Sequence, residues 1–211
     1  MARKFKKERK IFLKKLKIIF LTLAIGFFMI PTDVSAHGNY LTWKNDAKLI
    51  NGVGSYGKHV RYFWVDSSAS GQTSMINQVR NEWVNTSNIQ RTSILIKKIS
   101  TQKSSVFDIY KKQIYPTSTG IIGQSYFYNS SNKDMETPTY NYKWTKIVLN
   151  TSVFNKQSAF NQRGTIAHEF GHCMGLAHST DKNRVMTQLG SGRKVAKASK
   201  VDLQTINHLY G

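Results

Sequence analysis

Three histidines within eleven residues constrain this 211-residue chain more than any other feature. The stretch from His168 to His178 reads H-E-F-G-H-C-M-G-L-A-H. If residues 159–174 form a helix, His168 and His172 are four residues apart and project from one face, so they can share one metal ion. Gly175 then ends the helix, because glycine adopts a left-handed backbone conformation readily, and the turn brings His178 to the same ion.

Three nitrogen ligands indicate zinc with a fourth position left for water, which is the arrangement of a catalytic site rather than a closed structural one. Glu169 directly follows the first histidine and is placed to accept a proton from that water. The alternative for the H-E-x-x-H spacing alone is an ordinary amphipathic helix. That alternative does not account for the glycine and third histidine of the longer pattern.

The longer pattern H-E-x-x-H-x-x-G-x-x-H resembles the metzincin metalloproteases, and two further residues narrow the resemblance to the matrixins. Ser179 directly follows the third histidine, as is usual in matrixins. Met186 stands where the family has its methionine turn, a hydrophobic floor beneath the imidazoles. Plain core packing is the alternative for Met186, and in this family the two roles nearly coincide. The resemblance covers residues 59–211.

The resemblance implies an α+β fold of the metzincin type, with a twisted, mostly parallel β-sheet, an antiparallel edge strand, two long helices and a C-terminal helix. Alternating or β-rich segments predict the strands, and apolar residues at helical spacing predict the helices. Strands are predicted at residues 59–65, 93–100, 121–128 and 144–149, and helices at 72–85, 159–174 and 199–209. Residues 103–115 are predicted to form a loop with a helical turn.

Residues 1–36 are predicted to be a signal peptide, because a basic run and an apolar stretch precede small residues ending at Ala36. The apolar stretch has 13 residues, fewer than the about 20 that span a bilayer, so a cleaved leader is favoured over a membrane anchor. Cleavage near Ala36 predicts a secreted, extracellular protein. It leaves a short N-terminal extension, 37–58, and one metalloprotease domain, 59–211.

Charge and cysteine content limit the partners. The net charge is +20, and residues 1–36 carry nine basic and two acidic side chains, so the remaining chain has a net charge of +13. Such a surface favours anionic cell-surface polymers, while the absence of any recognition motif argues against a specific nucleic-acid partner. Cys173 is the single cysteine, so no internal disulfide forms, and a buried apolar role is predicted for it. A monomer is expected.

The resemblance also implies where cofactors and substrate bind. In matrixins the edge strand pairs with the extended peptide substrate, which assigns substrate contacts here to Gly123 and Gln124. Gln124 stands where animal matrixins have a ligand of a second, structural zinc, so one zinc ion is expected. The family also binds calcium, but the acidic side chains of this sequence are too scattered to assign a calcium site.

The resemblance also implies that Gly164 influences which residue the enzyme accepts after the cleaved bond. In matrixins the residue four before the first histidine helps set the depth of the pocket for the residue after the cleaved bond. Gly164 has no side chain, which predicts an open pocket and cleavage before large apolar residues. The alternative is that Arg193 or Lys194 folds into the slot.

These observations predict a secreted zinc-dependent endopeptidase that hydrolyses peptide bonds with a zinc-activated water and Glu169 as general base. Two alternatives remain from the sequence. One is a zinc hydrolase that acts on cell-wall peptide. The other is a basic surface-binding module in which zinc has a mainly structural role, although the presence of Glu169 argues against it.

Overall fold

The computed structural model describes residues 34–37, 40–50, 60–84, 86 and 88–211. One compact unit comprises Asp33–Gly211. The predicted signal peptide, except for its last three residues, lies outside the described residues, as do residues 51–58 of the predicted extension and His59. Among the described residues, no helix is both long enough and apolar enough to cross a membrane.

Eight strands and four α-helices follow one another in the described part of the chain. The strands are β1 (Val34–His37), β2 (Tyr40–Trp43), β3 (Val60–Val65), β4 (Leu95–Lys98), β5 (Phe107–Lys112), β6 (Gly123–Tyr128), β7 (Asp134–Met135) and β8 (Trp144–Asn150). The helices are α1 (Thr73–Val84), α2 (Thr151–Phe154), α3 (Ala159–Met174) and α4 (Lys200–Tyr210). Short 3₁₀ turns lie at Lys44–Asp46, Ser67–Gln72, Gln102–Ser104, Thr117–Thr119 and Leu189–Ser191.

The main sheet has six strands in the order β4-β3-β5-β8-β6-β7. Strands β4, β3, β5 and β8 are parallel, and β6 runs antiparallel to β8. The predicted fold, a mostly parallel sheet with an antiparallel strand towards one edge, is therefore confirmed. Strand β7 pairs only with Phe127 and Tyr128 of β6. Within the described residues, no strand pairs with the outer edge of β6 between Gly123 and Tyr126.

The prediction of a loop at residues 103–115 was wrong, because β5 lies there at the centre of the sheet between β3 and β8. A charged residue, Asp108, interrupts the apolar pattern of β5, so the sequence pattern does not indicate a buried strand. In the structure Asp108 is buried, and it accepts hydrogen bonds from the Ser105 hydroxyl and, at 2.8 Å, from the Gln102 side-chain amide. These partners make the burial of a carboxylate tolerable inside a strand.

Helices α1 and α3 pack together and carry the core. Phe170 of α3 meets Phe63 of β3 and Phe107 of β5 edge-on, with ring centroids 6.2 and 5.7 Å apart. Trp83 of α1 is fully buried, and its indole N–H donates to the carbonyl of Ala167 at 3.2 Å. Burial of these large aromatic surfaces fixes α3 against the sheet.

Residues 40–50, called here the N-terminal segment, contact the chain just after α3 and also helix α4. The segment forms an antiparallel bridge from Thr42 to Leu176, just after α3. Against α4, the Lys48 ammonium donates to the carbonyl of Leu209, and the ring of Tyr40 stacks on His208 at 4.9 Å. The sequence predicted residues 37–58 to be an extension, and the N-terminal segment within it packs on the domain.

Candidate active site

Helix α3 begins and ends where its sequence supplies caps. The Ser158 hydroxyl accepts a hydrogen bond from the backbone N–H of Asn161 at 3.2 Å. At the other end Gly175 has a left-handed φ of 112°, and the N–H of Leu176 donates to the carbonyl of Gly171 at 3.0 Å. This closing turn brings the following residues back towards the helix. The predicted role of Gly175 in ending the helix is confirmed.

The side chains of His168, His172 and His178 converge on one point. Nε2 of His172 lies 3.0 Å from Nε2 of His168 and 3.1 Å from Nε2 of His178. Among the described residues, these three form the one group whose ligand atoms, all within 4.8 Å of one another, could hold a metal ion. A tetrahedral zinc ion with bonds of about 2.0–2.1 Å separates two nitrogen ligands by about 3.3 Å. The spacing of the three nitrogens therefore fits zinc.

Backbone carbonyls fix the tautomers of two of these histidines. Nδ1 of His168 lies 2.8 Å from the carbonyl oxygen of Val185, and Nδ1 of His172 lies 2.8 Å from that of Leu176. Because a carbonyl oxygen only accepts, each Nδ1 carries the proton and donates it. Each Nε2 then keeps a lone pair directed at the shared point. Lone pairs that face one another repel, and a shared cation removes that repulsion.

Burial keeps the three imidazoles neutral. It lowers the pKa of His168 and His172 well below the usual value, and the neighbouring imidazoles act in the same direction. It lowers the pKa of His178 to about 4. Neutral imidazole is the form that binds a metal, so the group is ready to bind one near neutral pH.

Glu169 is buried beside this group, with 5% of its surface exposed. The Ser125 hydroxyl of β6 donates to its Oε2 at 2.7 Å and leaves Oε1 for other contacts. Burial raises the pKa of Glu169 to about 7, while the hydrogen bond from Ser125 and the charge of Arg193 oppose that rise. A carboxylate with a pKa near the working pH is suited to accept and return a proton.

Strand β6 crosses α3 at Glu169. A Cβ added at Gly123 would lie 3.3 Å from Oε1 of Glu169 and 3.0 Å from Cγ2 of Thr165, so the backbone itself passes close to the carboxylate. Because side chains alternate along a strand, Gln124 points to the opposite face from Gly123 and Ser125. The structure therefore brings Gly123 to Glu169, whereas the side chain of Gln124 does not face it.

Met186 is fully buried and packs against α3. A Cβ added at Gly171 would overlap the Met186 sulfur and lie 3.1 Å from its Cε. The next residue back, Val185, supplies the carbonyl that holds His168. Met186 thus lies against the histidine-bearing helix at Gly171, and its role as a floor beneath the imidazoles stays a prediction.

The N-terminal segment supports the second histidine from behind. The indole of Trp43 stacks on the His172 ring, with centroids 5.0 Å apart, and its N–H donates to the His172 carbonyl at 3.3 Å. The Tyr142 hydroxyl lies 3.1 Å from the same carbonyl oxygen and 3.0 Å from that of Cys173. Cys173 itself is fully buried, which confirms the predicted burial.

The space beside Gly164 is not open, and the expectation of an open pocket was wrong. A Cβ added at Gly164 would lie 2.7 Å from Nη2 and 3.1 Å from Cζ of Arg193, and 3.2 Å from Cα of Ala196. The guanidinium of Arg193 therefore fills the position that a side chain at 164 would take. The alternative from the sequence, in which Arg193 folds into this slot, describes the structure.

Sequence reasoning missed two residues that contact the site, Ser125 and Trp43. Ser125 has a signal in hindsight, since Gly123 and Ser125 are small residues two apart and therefore share the face of β6 that meets the helix. The sequence signal for Trp43 is weaker and consists of the β-rich run Tyr40–Trp43. The contact of Trp43 with His172 joins residues 129 positions apart, and no local pattern encodes it.

Comparison with known proteins identifies a family and similar solved structures. The family model Peptidase_M10, described as matrixin, matches residues 67–211. Among solved structures, the structure of myroilysin is similar with 21% sequence identity and a TM-score of 0.35. The match covers 57% of this chain and 50% of that one, so the chain spans about half the length of this neighbour.

Proposed function

This chain belongs to the matrixin family of zinc metalloendopeptidases, and from that premise we propose that it is a secreted enzyme that hydrolyses extended protein or peptide substrates. The observation that carries the proposal is the convergence of three imidazole nitrogens next to Glu169, a buried carboxylate. His168, His172 and His178 would hold the zinc ion. A bound zinc ion supplies Lewis acidity, which polarises the scissile carbonyl and lowers the pKa of a water molecule.

The residues of the chain provide the proton transfers. Glu169 takes the proton of the attacking water and passes it to the leaving amine. Ser125 holds the carboxylate through Oε2, which keeps it in one orientation between the two transfers. The pKa of Glu169, about 7, lets this carboxylate both accept and release a proton near neutral pH.

The outer edge of β6 is suited to hold the substrate. Its backbone groups between Gly123 and Tyr126 are not paired with another strand of the described chain. An extended peptide can add there as a further strand, since backbone hydrogen bonds give affinity without restricting sequence. Gly123 lies against Glu169, so a peptide on this edge has its backbone beside the proton acceptor.

Export and surface retention complete the proposal. The basic and apolar character of residues 1–36 supports secretion, and the net charge of +13 in the rest of the chain supports retention on anionic cell-surface polymers. Terminal sequencing of protein from the culture medium is expected to give His37 as the first residue. An intact leader on membrane-held protein contradicts this part of the proposal.

Activity is tested with Glu169→Ala. The variant is expected to keep its zinc and to lose about 10²–10⁴-fold in the rate of protein digestion, because the general base is removed. Glu136→Ala, at an exposed carboxylate, is the matched control and should digest as the parent does. A chelator should abolish the activity of the parent and of Glu136→Ala.

The outcome also separates the two alternatives. Hydrolysis of cell-wall peptide without digestion of proteins favours the wall hydrolase. Zinc-dependent folding with no hydrolysis of either substrate favours the surface-binding module. Equal activity of Glu169→Ala and the parent contradicts the assigned mechanism.

A further inference from the structure

Arg193 is a buried cation that the mechanism above does not use. Its side chain is only 7% exposed, and its Nε has no hydrogen-bond partner. Among the described residues, no carboxylate forms an ion pair with it; the described ion pairs are Arg163 with Glu82, Arg184 with Asp202, and His208 with Asp46. A buried guanidinium without a carboxylate partner is unfavourable, so the position calls for an anion.

The guanidinium lies beside the reacting groups. Gly164 stands one helical turn before His168, and the guanidinium occupies the position of a side chain at residue 164. A substrate side chain that enters the space beside Gly164, one helical turn before His168, therefore meets the guanidinium of Arg193.

The chain holds Arg193 in this inward position. The backbone N–H of Lys194 donates to the carbonyl of Lys182 at 2.8 Å, and Gly192 takes a left-handed φ of 88° just before the arginine. Ala196 packs with its backbone against Gly164. The glycine at 164 leaves room for the guanidinium, and the loop anchors point it there.

We propose that Arg193 determines specificity by binding an acidic side chain at the substrate residue that follows the cleaved bond. The proposal rests on the endopeptidase activity proposed above and names its substrate class. A carboxylate matches the planar, forked donors of arginine, which form two parallel hydrogen bonds to it. A large apolar side chain in the same slot would have to displace the guanidinium or leave it buried and unpaired.

The overall charge agrees with this preference. Residues after 36 have a net charge of +13, so acidic segments of a protein are drawn to the surface in general. Glu169 is already engaged by Ser125 and has its own task. A substrate carboxylate can therefore bind Arg193 without displacing the proton acceptor.

The test uses matched peptides on the zinc-loaded full chain. A peptide-library digest first gives the best sequence, and four peptides then differ only in the residue after the cleaved bond, which is Glu, Gln, Leu or Ala. The parent is expected to favour Glu over Gln by about 10- to 100-fold in kcat/KM, since the two differ in charge but hardly in shape. A ratio near one, or a preference for Leu over Glu, overturns the proposal.

Three variants assign the preference to one side chain. Arg193→Met keeps the length without the charge and should bring the Glu/Gln ratio to about one, whereas Arg193→Lys should keep part of it. Lys194→Met removes the same charge from an exposed neighbour and should leave the ratio unchanged. An unchanged ratio in Arg193→Met, or an equal fall in Lys194→Met, also overturns the proposal. If Arg193→Met does not fold, the Arg193→Lys and Lys194→Met ratios decide.

A binding measurement separates this proposal from the enzymatic one. Failure of every peptide to be cleaved in a chelator-sensitive way refutes the endopeptidase proposal. Labelled forms of the Glu and Gln peptides are then compared by fluorescence anisotropy on the Glu169→Ala variant. Tighter binding of the Glu peptide, lost in Glu169→Ala/Arg193→Met, supports the role of Arg193. Equal binding of the two peptides refutes it.

Discussion

Replacing Gly171 by alanine tests whether the packing of Met186 against α3 supports the histidine group. The added Cβ would overlap the Met186 sulfur and lie 3.2 Å from Cζ2 of Trp83, so the sulfur must move by on the order of 1 Å to reach ordinary contact. Both neighbours are fully buried, and there is no solvent into which either can relax.

Two effects of opposite sign decide the magnitude. Alanine in a helix interior stabilises by about 1 kcal/mol relative to glycine. Overpacking of a filled core destabilises by about 1–3 kcal/mol, and an overlap of this depth belongs near the upper end. The net loss is then about 2 kcal/mol, which corresponds to a fall in Tm of roughly 4–8 °C for a domain of this size.

Metal affinity should change as well. Displacement of Met186 also shifts Val185, whose carbonyl orients His168. Loss of such an orienting contact typically weakens metal binding by about 10–100-fold. Thermal melts of Gly171→Ala and competition with a chelator for zinc measure the two effects.

Two further variants make this result decisive. Gly71→Ala, where an added Cβ has no neighbour within 4 Å, should change neither Tm nor zinc affinity appreciably. Met186→Ala added to Gly171→Ala removes the overlap, so the two substitutions together should destabilise less than the sum of each alone. A rise in Tm for Gly171→Ala with unchanged zinc affinity refutes the reasoning, since helix propensity would then outweigh the contact.

Trp43→Ala should destabilise the protein by about 3–5 kcal/mol and weaken zinc binding through His172. The control Trp64→Ala removes a side chain on the opposite face of β3 from Phe63, so it should lower Tm without changing zinc affinity. Equal zinc affinity in both variants contradicts the supporting role of Trp43. The chelated protein should lose stability as the pH falls from about 6.5 towards 4, because the folded pKa of His178, about 4, lies below its usual value of 6.5 and the unfolded chain takes up a proton that the folded chain does not. Melts at about pH 7.5 and about pH 5 check this, and an unchanged Tm opposes it.

The parts of the site that were predictable from the sequence are those set by local geometry. The spacing of His168 and His172 on one helix, and the glycine that ends it, follow from helix periodicity and backbone conformation. These require no knowledge of the rest of the chain. The same holds for α1, whose apolar stripe is regular.

The parts that were missed depend on contacts made outside the element that carries the residue. Strand β5 contains Asp108, and its burial becomes acceptable only once Gln102 and Ser105 are in place. The position of Arg193 depends on how a loop folds onto Gly164, which a glycine permits but does not specify. A sequence pattern reports periodicity within an element, whereas these features are set by contacts between elements.

The contacts of the N-terminal segment have a consequence for the timing of synthesis. Trp43 backs His172, and Lys48 of the same segment binds the carbonyl of Leu209. The Tyr210 hydroxyl in turn donates to the carbonyl of Met174, at the end of the histidine-bearing helix, at 2.9 Å. A growing polypeptide on the ribosome has the first of these groups long before the last. The histidine group is therefore fully supported only after residue 210 has been translated, and a nascent chain lacks this support while the cell is still making it.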